Sequence, residues 1–180
     1  MAYYYLMAQL PYLYYEQMPP MSSENFKELA KPLINKTDFD LLSKISLVPL
    51  NKIVDCKFIN NWQNWDRTLR LDLAKQRAIK LKRDIPLNEP DFHLDTAAAA
   101  SKAIDESSPL EGEILLDKAR WNAIDDLAGS DYFHRNSVFA YYLKLLLIER
   151  RLSFNVEKGF TEYKSMYASI LESAQAGDSK

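Results

Sequence analysis

The chain has 180 residues, enough for one ordinary domain with a real core, and a near-balanced charge of −2 from 23 basic and 25 acidic side chains. Apolar residues at 47% and charged residues at 27% exclude a disordered chain, and only 4 glycines disfavour a sheet protein, which needs glycine in tight turns and bulges. A single cysteine, Cys56, excludes an intramolecular disulfide or a cysteine-built zinc site, and suits a reducing compartment.

The opening, Ala2 to Pro11, is tyrosine-rich and reads equally well as a short extended segment or a first helical turn. It has no basic flank and no clean apolar run, so it does not read as a signal peptide. Pro19-Pro20 then breaks the chain. Ser22 or Ser23 can cap a helix running to about Lys31, and Thr37 or Asp38 a second running to about Ser46.

The strongest periodicity follows. Between Phe58 and Arg83 there is neither Gly nor Pro, and Phe58, Trp62, Trp65, Leu69 and Leu73 step by four, three, four and four. Leu71, Ala74, Ala78 and Leu81 form a second stripe, so this helix should be packed on more than one side. Residues 84–95, with Pro86 and Pro90, read as a linker between an N-terminal helical part, 1–83, and a C-terminal part, 96–176, within one compact unit.

Thr96 to Glu106 contains four consecutive alanines and should be helical. Ser108-Pro109 opens another helix that runs to Gly129 as its C-cap. Ser130 or Asp131 can cap the next, with Phe139, Tyr142, Leu143, Leu146 and Leu147 as apolar positions. A last helix, about Glu157 to Ala174, carries Phe160, Tyr163, Tyr167 and Leu171. The fold expected is all-α, with six or seven helices in an irregular bundle. The most apolar stretch, Val138 to Ile148, is about half a membrane span and contains Lys144, so no direct membrane insertion is expected.

Charge is unevenly spread. From Asp66 to Arg83, seven basic residues face two acids, a net of +5, whereas from Asp84 to Asp131 twelve acids face three bases, a net of −9. Such an asymmetry either orients a partner or pairs one part of the protein with another. The basic stretch follows two tryptophans, which could in principle stack nucleic-acid bases. Trp62 and Trp65 lie on the apolar stripe, however, and the pI of about 5.8 is far from that of such proteins, so nucleic acid is not an expected partner.

Catalytic and metal patterns are sparse. Asp91, His93 and Asp95 alternate, and Asp131 with His134 has the spacing of half a di-iron motif, but two histidines in the whole chain fall short of such a ligand set. Cys56 lies between Asp55 and Lys57 with no histidine near it in sequence, and neither a Walker loop nor a nucleophile elbow is present. The acidic pairs Glu111/Glu113 and Asp125/Asp126 read as solvated helix faces. No catalytic residue, metal or cofactor is expected. The candidate partner contacts are Arg77, Lys80, Lys82 and Arg83 on the basic stretch, and Tyr14 and Tyr15 in the tyrosine-rich start, because tyrosine is enriched at interfaces.

Tyr3-Tyr-Tyr-Leu-Met-Ala-Gln-Leu-Pro11, together with the segment Phe58 to Ala74, resembles a bacterial family of uncharacterised proteins encoded in V/A-type ATPase operons. Leu147 to Phe154 leading to Phe160 is also similar to the end of helical units in the C subunit (the eukaryotic d subunit), of which this family looks like a shortened relative. The resemblance implies a non-catalytic, all-helical subunit linking the central stalk to the membrane rotor ring, with those subunits as partners. It also implies a cytoplasmic place, peripheral to the inner membrane through the complex. The C subunit is about twice as long, so this chain does not form that whole funnel. A free-standing helical adaptor or regulator is the alternative.

Overall fold

The computed structural model describes residues 2–49, 53–83, 94–154 and 156–177, the side chains of 156–158 and 171–177 apart. Among the described residues it is all-α, with eight helices and one isolated bridge. The helices are α1 Tyr4–Gln9, α2 Ser23–Ala30, α3 Lys36–Leu42, α4 Lys57–Lys80, α5 Leu94–Asp105, α6 Pro109–Ala128, α7 Arg135–Ser153 and α8 Val156–Gly177. Most of the linker expected at 84–95 lies outside the described residues, His93 and Asp91 with it; Leu94 and Asp95 open α5.

The contacts group Met1–Glu149 as one compact unit and Arg150–Lys180 as a second. The boundary expected between 1–83 and 96–176 falls inside the first, where α4, α5 and α6 pack on one another.

Local chemistry accounts for the ends. Ser22 caps α2 by accepting from the Asn25 N–H, as expected. The cap of α3 is Asn35, which accepts from the Asp38 N–H at 2.7 Å, so that helix starts a little before the Thr37 or Asp38 expected. Asp38 is free of the capping task because it is buried and serves another bond. Ser108 precedes Pro109 at the first turn of α6, and Gly129 ends that helix at φ 77°, in the left-handed region that glycine tolerates. The helix after it starts at Arg135 rather than beside Ser130 or Asp131. Asp131 instead holds the turn: its carboxylate accepts from the Phe133 N–H and its carbonyl from the Ser137 hydroxyl. His134 Nδ1 accepts from the Asn136 N–H.

The core runs through the middle of α4 and α7. Trp62, Leu69, Phe139, Leu143, Leu147 and Ile148 are at most 1% exposed, so Trp62 is a core residue. Phe58 meets Phe139, and Phe26 of α2 packs against Tyr141 and Tyr142. Glu149 caps α2 from across the fold, accepting from the Ser23 N–H at 2.6 Å and its hydroxyl at 2.7 Å. At Gly112 the backbones of α5 and α6 nearly touch; a Cβ there would stand 2.8 Å from the Ala103 carbonyl oxygen.

The N-terminus is neither purely extended nor purely helical. Ala2 bridges His134, and Tyr3 donates its N–H to the Phe133 carbonyl at 2.6 Å, after which α1 begins. The Tyr3 hydroxyl, buried, donates to Asp38 at 2.5 Å, and Arg135 approaches the same carboxylate at 3.5 Å. Burial, reinforced by Asp38, pushes the Tyr3 hydroxyl up to about 12.

Beneath the α4–α6 contact lies an ionic network. Arg120 donates from Nε to Asp66 and from its terminal nitrogen to Asp117, each at 2.9 Å, and all three side chains are buried. Asp66 also accepts from Arg70 at 2.7 Å, and Arg70 reaches the Leu47 carbonyl. Two cations thus balance two carboxylates. Desolvation works against the Arg120 charge, yet the Asp66 and Asp117 carboxylates outweigh it and raise its pKa.

Candidate protein-interaction site

The C-terminal end of α4 carries exposed side chains. Ala78 is the last buried residue, and Ile79 to Arg83 are all exposed, Ile79 at 70% and Leu81 at 63%. Leu81, expected on the second apolar stripe, is instead exposed, at the turn that closes α4. The end is closed by paired backbone bonds: Lys82 N–H donates to the Ile79 carbonyl and Arg83 N–H to the Ala78 carbonyl. Such a closure requires a left-handed residue at its pivot, normally glycine. Here the pivot is Lys82, at φ 52°. A side chain in that region costs about 1–2 kcal/mol, so a cation is held where a glycine would sit relaxed.

Arg77, Lys80, Lys82 and Arg83 are thus all exposed at the end of α4, beside two exposed aliphatic side chains. The cations also sit where a helix C-terminus favours positive charge. Lys80 donates to the Ile104 carbonyl at 2.9 Å, bracing the tip against the end of α5. Arg77 lines a cleft of about 250 Å³ with Glu106, Glu113 and Leu116. Asp95 accepts from the Trp65 indole and Asp72 from the Thr96 hydroxyl, both at 2.7 Å, and both stitch α4 to α5.

Tyr14 and Tyr15 lie elsewhere, on a strap that crosses α6 and α7. The strap is held by the Tyr141 hydroxyl donating to the Pro11 carbonyl at 3.0 Å and by a Glu16–Lys118 ion pair at 3.1 Å. Burial, then the neighbouring Tyr132, pushes the Tyr141 hydroxyl up to about 12. Tyr15 packs edge-on against Trp121, and Lys144, paired with Asp125, lies 4.4 Å over the same indole. Tyr15 is a half-buried anchor, whereas Tyr14 is exposed and faces Tyr12 at 4.8 Å. The strap and α6 enclose a cleft of about 380 Å³ lined by Tyr14, Tyr15, Lys118, Trp121 and Asn122. The structure therefore brings the four cations together and the two tyrosines together, on separate surfaces.

Two features escaped the sequence. The Asp66–Arg120–Asp117 network left only weak signals, an Asp-x-x-x-Arg and an Asp-x-x-Arg spacing, each of which equally describes a solvated helix pair. The exposure of Ile79 and Leu81 depends on what packs beside the last turn of α4, which no local pattern encodes.

Chemically, the arrangement is that of an all-α protein with exposed cationic, aliphatic and aromatic surfaces. Among the described residues, no helix is long and apolar enough to cross a membrane, and no group of three or more His, Cys, Asp or Glu side chains is placed to hold a metal ion. Residues 88–172 match the family described as "Protein of unknown function (DUF2764)". Neither the curated proteins nor the solved structures give a match.

Proposed function

We propose that this protein is a non-catalytic structural subunit of a bacterial V/A-type rotary ATPase, C (d) subunit-like, linking the central stalk to the membrane rotor ring. The observation that carries the reading is α4: 24 residues, about 36 Å, running unbroken from the core to the cationic tip. A link in a rotor must pass torque between two partners without bending. A long helix clamped by the Asp66–Arg120–Asp117 network, ending in a strained cationic knob, suits that task. The resemblance of Phe58 to Ala74, which is the clamped part of this helix, to the ATPase-operon family supports the same reading.

On this proposal Arg77, Lys80, Lys82 and Arg83 meet an acidic surface of one partner, and the exposed tyrosine strap, with Tyr14, offers a second contact. The test is affinity purification of the tagged full chain from its host in mild detergent, beside a Lys80→Glu/Lys82→Glu/Arg83→Glu variant. Stoichiometric recovery of stalk and ring subunits with the natural chain, and their loss with the variant, is expected. Isolation of the intact rotor always without this chain would move the reading to a free-standing helical adaptor.

A further inference from the structure

The second unit is dominated by one amphipathic helix, α8. Phe160, Tyr163, Tyr167 and Ile170 step by three, four and three, the alternation of a seven-residue repeat with a period of 3.5. They are 58%, 60%, 54% and 62% exposed, and Met166 beside them is 63% exposed. Tyr163 and Tyr167 already stack, centroids 6.1 Å apart and planes 20° from parallel. Phe160, Tyr163, Tyr167 and Ile170 form the centre of the stripe, and Met166 flanks it.

From these observations we infer that α8 pairs with α8 of a second copy of this chain in an antiparallel two-helix seam. The inference does not rest on the rotary-ATPase reading. Three arguments support the choice of occupant. The first is register: in antiparallel helices the first position of one repeat meets the fourth of the other. A two-fold axis through the seam, midway between Tyr163 and Tyr167, therefore sets Phe160 against the partner's Ile170, and Tyr163 against the partner's Tyr167. Every seam position is matched, and the two tyrosine stacks merge into a four-ring cluster.

Charge is the second argument. Between residues 159 and 170 the only charged side chains are Glu162 and Lys164, which cancel. Lys164 folds back over its own Phe160 ring at 4.5 Å. The flank therefore carries no run of like charge that would repel a second copy, the usual device against self-association, and no net positive charge to favour an anionic membrane. Area is the third. Large apolar and aromatic side chains bury about 150–250 Å² each, so the exposed part of five amounts to about 600 Å² per copy, or about 1,200 Å² in all. That is the lower end of specific interfaces, where weak and reversible association is found.

The test is sedimentation equilibrium of the full chain from about 1 to 200 μM, in the range such an interface should titrate. A monomer–dimer equilibrium is expected, weakened about 30-fold or more by Tyr167→Lys, the loss expected at a central aromatic contact. Ser165→Lys, on the back of the helix, should leave it unchanged, and circular dichroism of each variant checks that α8 still forms. Orientation is read separately. Met166→Cys should give a 166–166 disulfide under mild oxidation, since only the antiparallel seam puts that position beside its own copy; Cys56 is buried and will not compete. A chain monomeric throughout the range, a dimer indifferent to Tyr167→Lys, or failure of Met166→Cys to cross-link while the dimer persists would each overturn the inference.

Discussion

Replacing Arg120 with methionine tests how α4 and α6 are held. The change keeps most of the side-chain length but removes the one group that bridges Asp66 and Asp117. Both carboxylates are at most 1% exposed and would remain in the core, Asp66 with Arg70 as its remaining cation and Asp117 without its Arg120 bond. Removing one member of a buried ionic group costs about 3–5 kcal/mol, chiefly through the uncompensated charge left behind. A domain of this size has about 5–15 kcal/mol of stability in total, so a large share would go. Arg120→Lys should recover little of it, because an ammonium is a point donor and cannot serve two carboxylates in the fixed geometry of a guanidinium. The triple replacement Asp66→Leu/Arg120→Met/Asp117→Leu should lie closer to the natural chain than Arg120→Met alone, since apolar substitutes carry no desolvation cost. Urea unfolding followed by tryptophan fluorescence, with Trp62 and Trp65 on α4 as probes, gives the midpoint and slope. A cost below about 1 kcal/mol for Arg120→Met at unchanged slope would refute the reasoning, because it would mean these charges are solvated in the folded protein.

Two further outcomes follow from local structure. Lys82→Gly should raise stability by about 1 kcal/mol by relaxing the left-handed pivot, while removing one cation of the α4 tip; thermal unfolding and the pull-down then move in opposite directions. In alkali, Tyr3 and Tyr141 should ionise late, near 12, among 11 tyrosines, as followed by absorbance at 295 nm. Their folded pKa values lie above the unfolded value of 10.0, so the folded state binds more protons and stability falls as pH rises from about 10 towards 12. Tyr3→Phe should remove part of that alkaline loss.

The helices were legible where sequence patterns are local. The Phe58 to Leu73 stripe, Pro109 at the start of α6, Gly129 at its end and the Ser22 cap are each visible in a few adjacent residues. The first helix was ambiguous because Tyr3, Tyr4 and Tyr5 suit either a strand or a helix, and the choice is made by the Phe133 carbonyl far along the chain. The sequence hides the cap at Asn35 because Thr37 and Asp38 are equally good capping types; Asp38 is diverted to Tyr3 by tertiary packing. The stripe on α8 was readable as helix, but its exposure was not, since periodicity gives a face and never what covers it. The four basic residues of the candidate site are visible in the sequence only as charge, and the backbone strain at Lys82 that distinguishes one of them has no sequence signature.

The long-range anchors of the strap and of α2 also set a clock for synthesis. Pro11 is held by Tyr141, 130 residues later, and Ser23 by Glu149, 126 residues later. At a translation rate of about 5–20 residues per second, the tyrosine-rich start waits on the order of ten seconds outside the ribosome before its binding surface exists. During that interval Leu6, Met7, Leu10 and Leu13, all destined for the core, have no fold to enter. The last 20 residues of the first unit, 130–149, thus close a fold whose first apolar residues were made long before them.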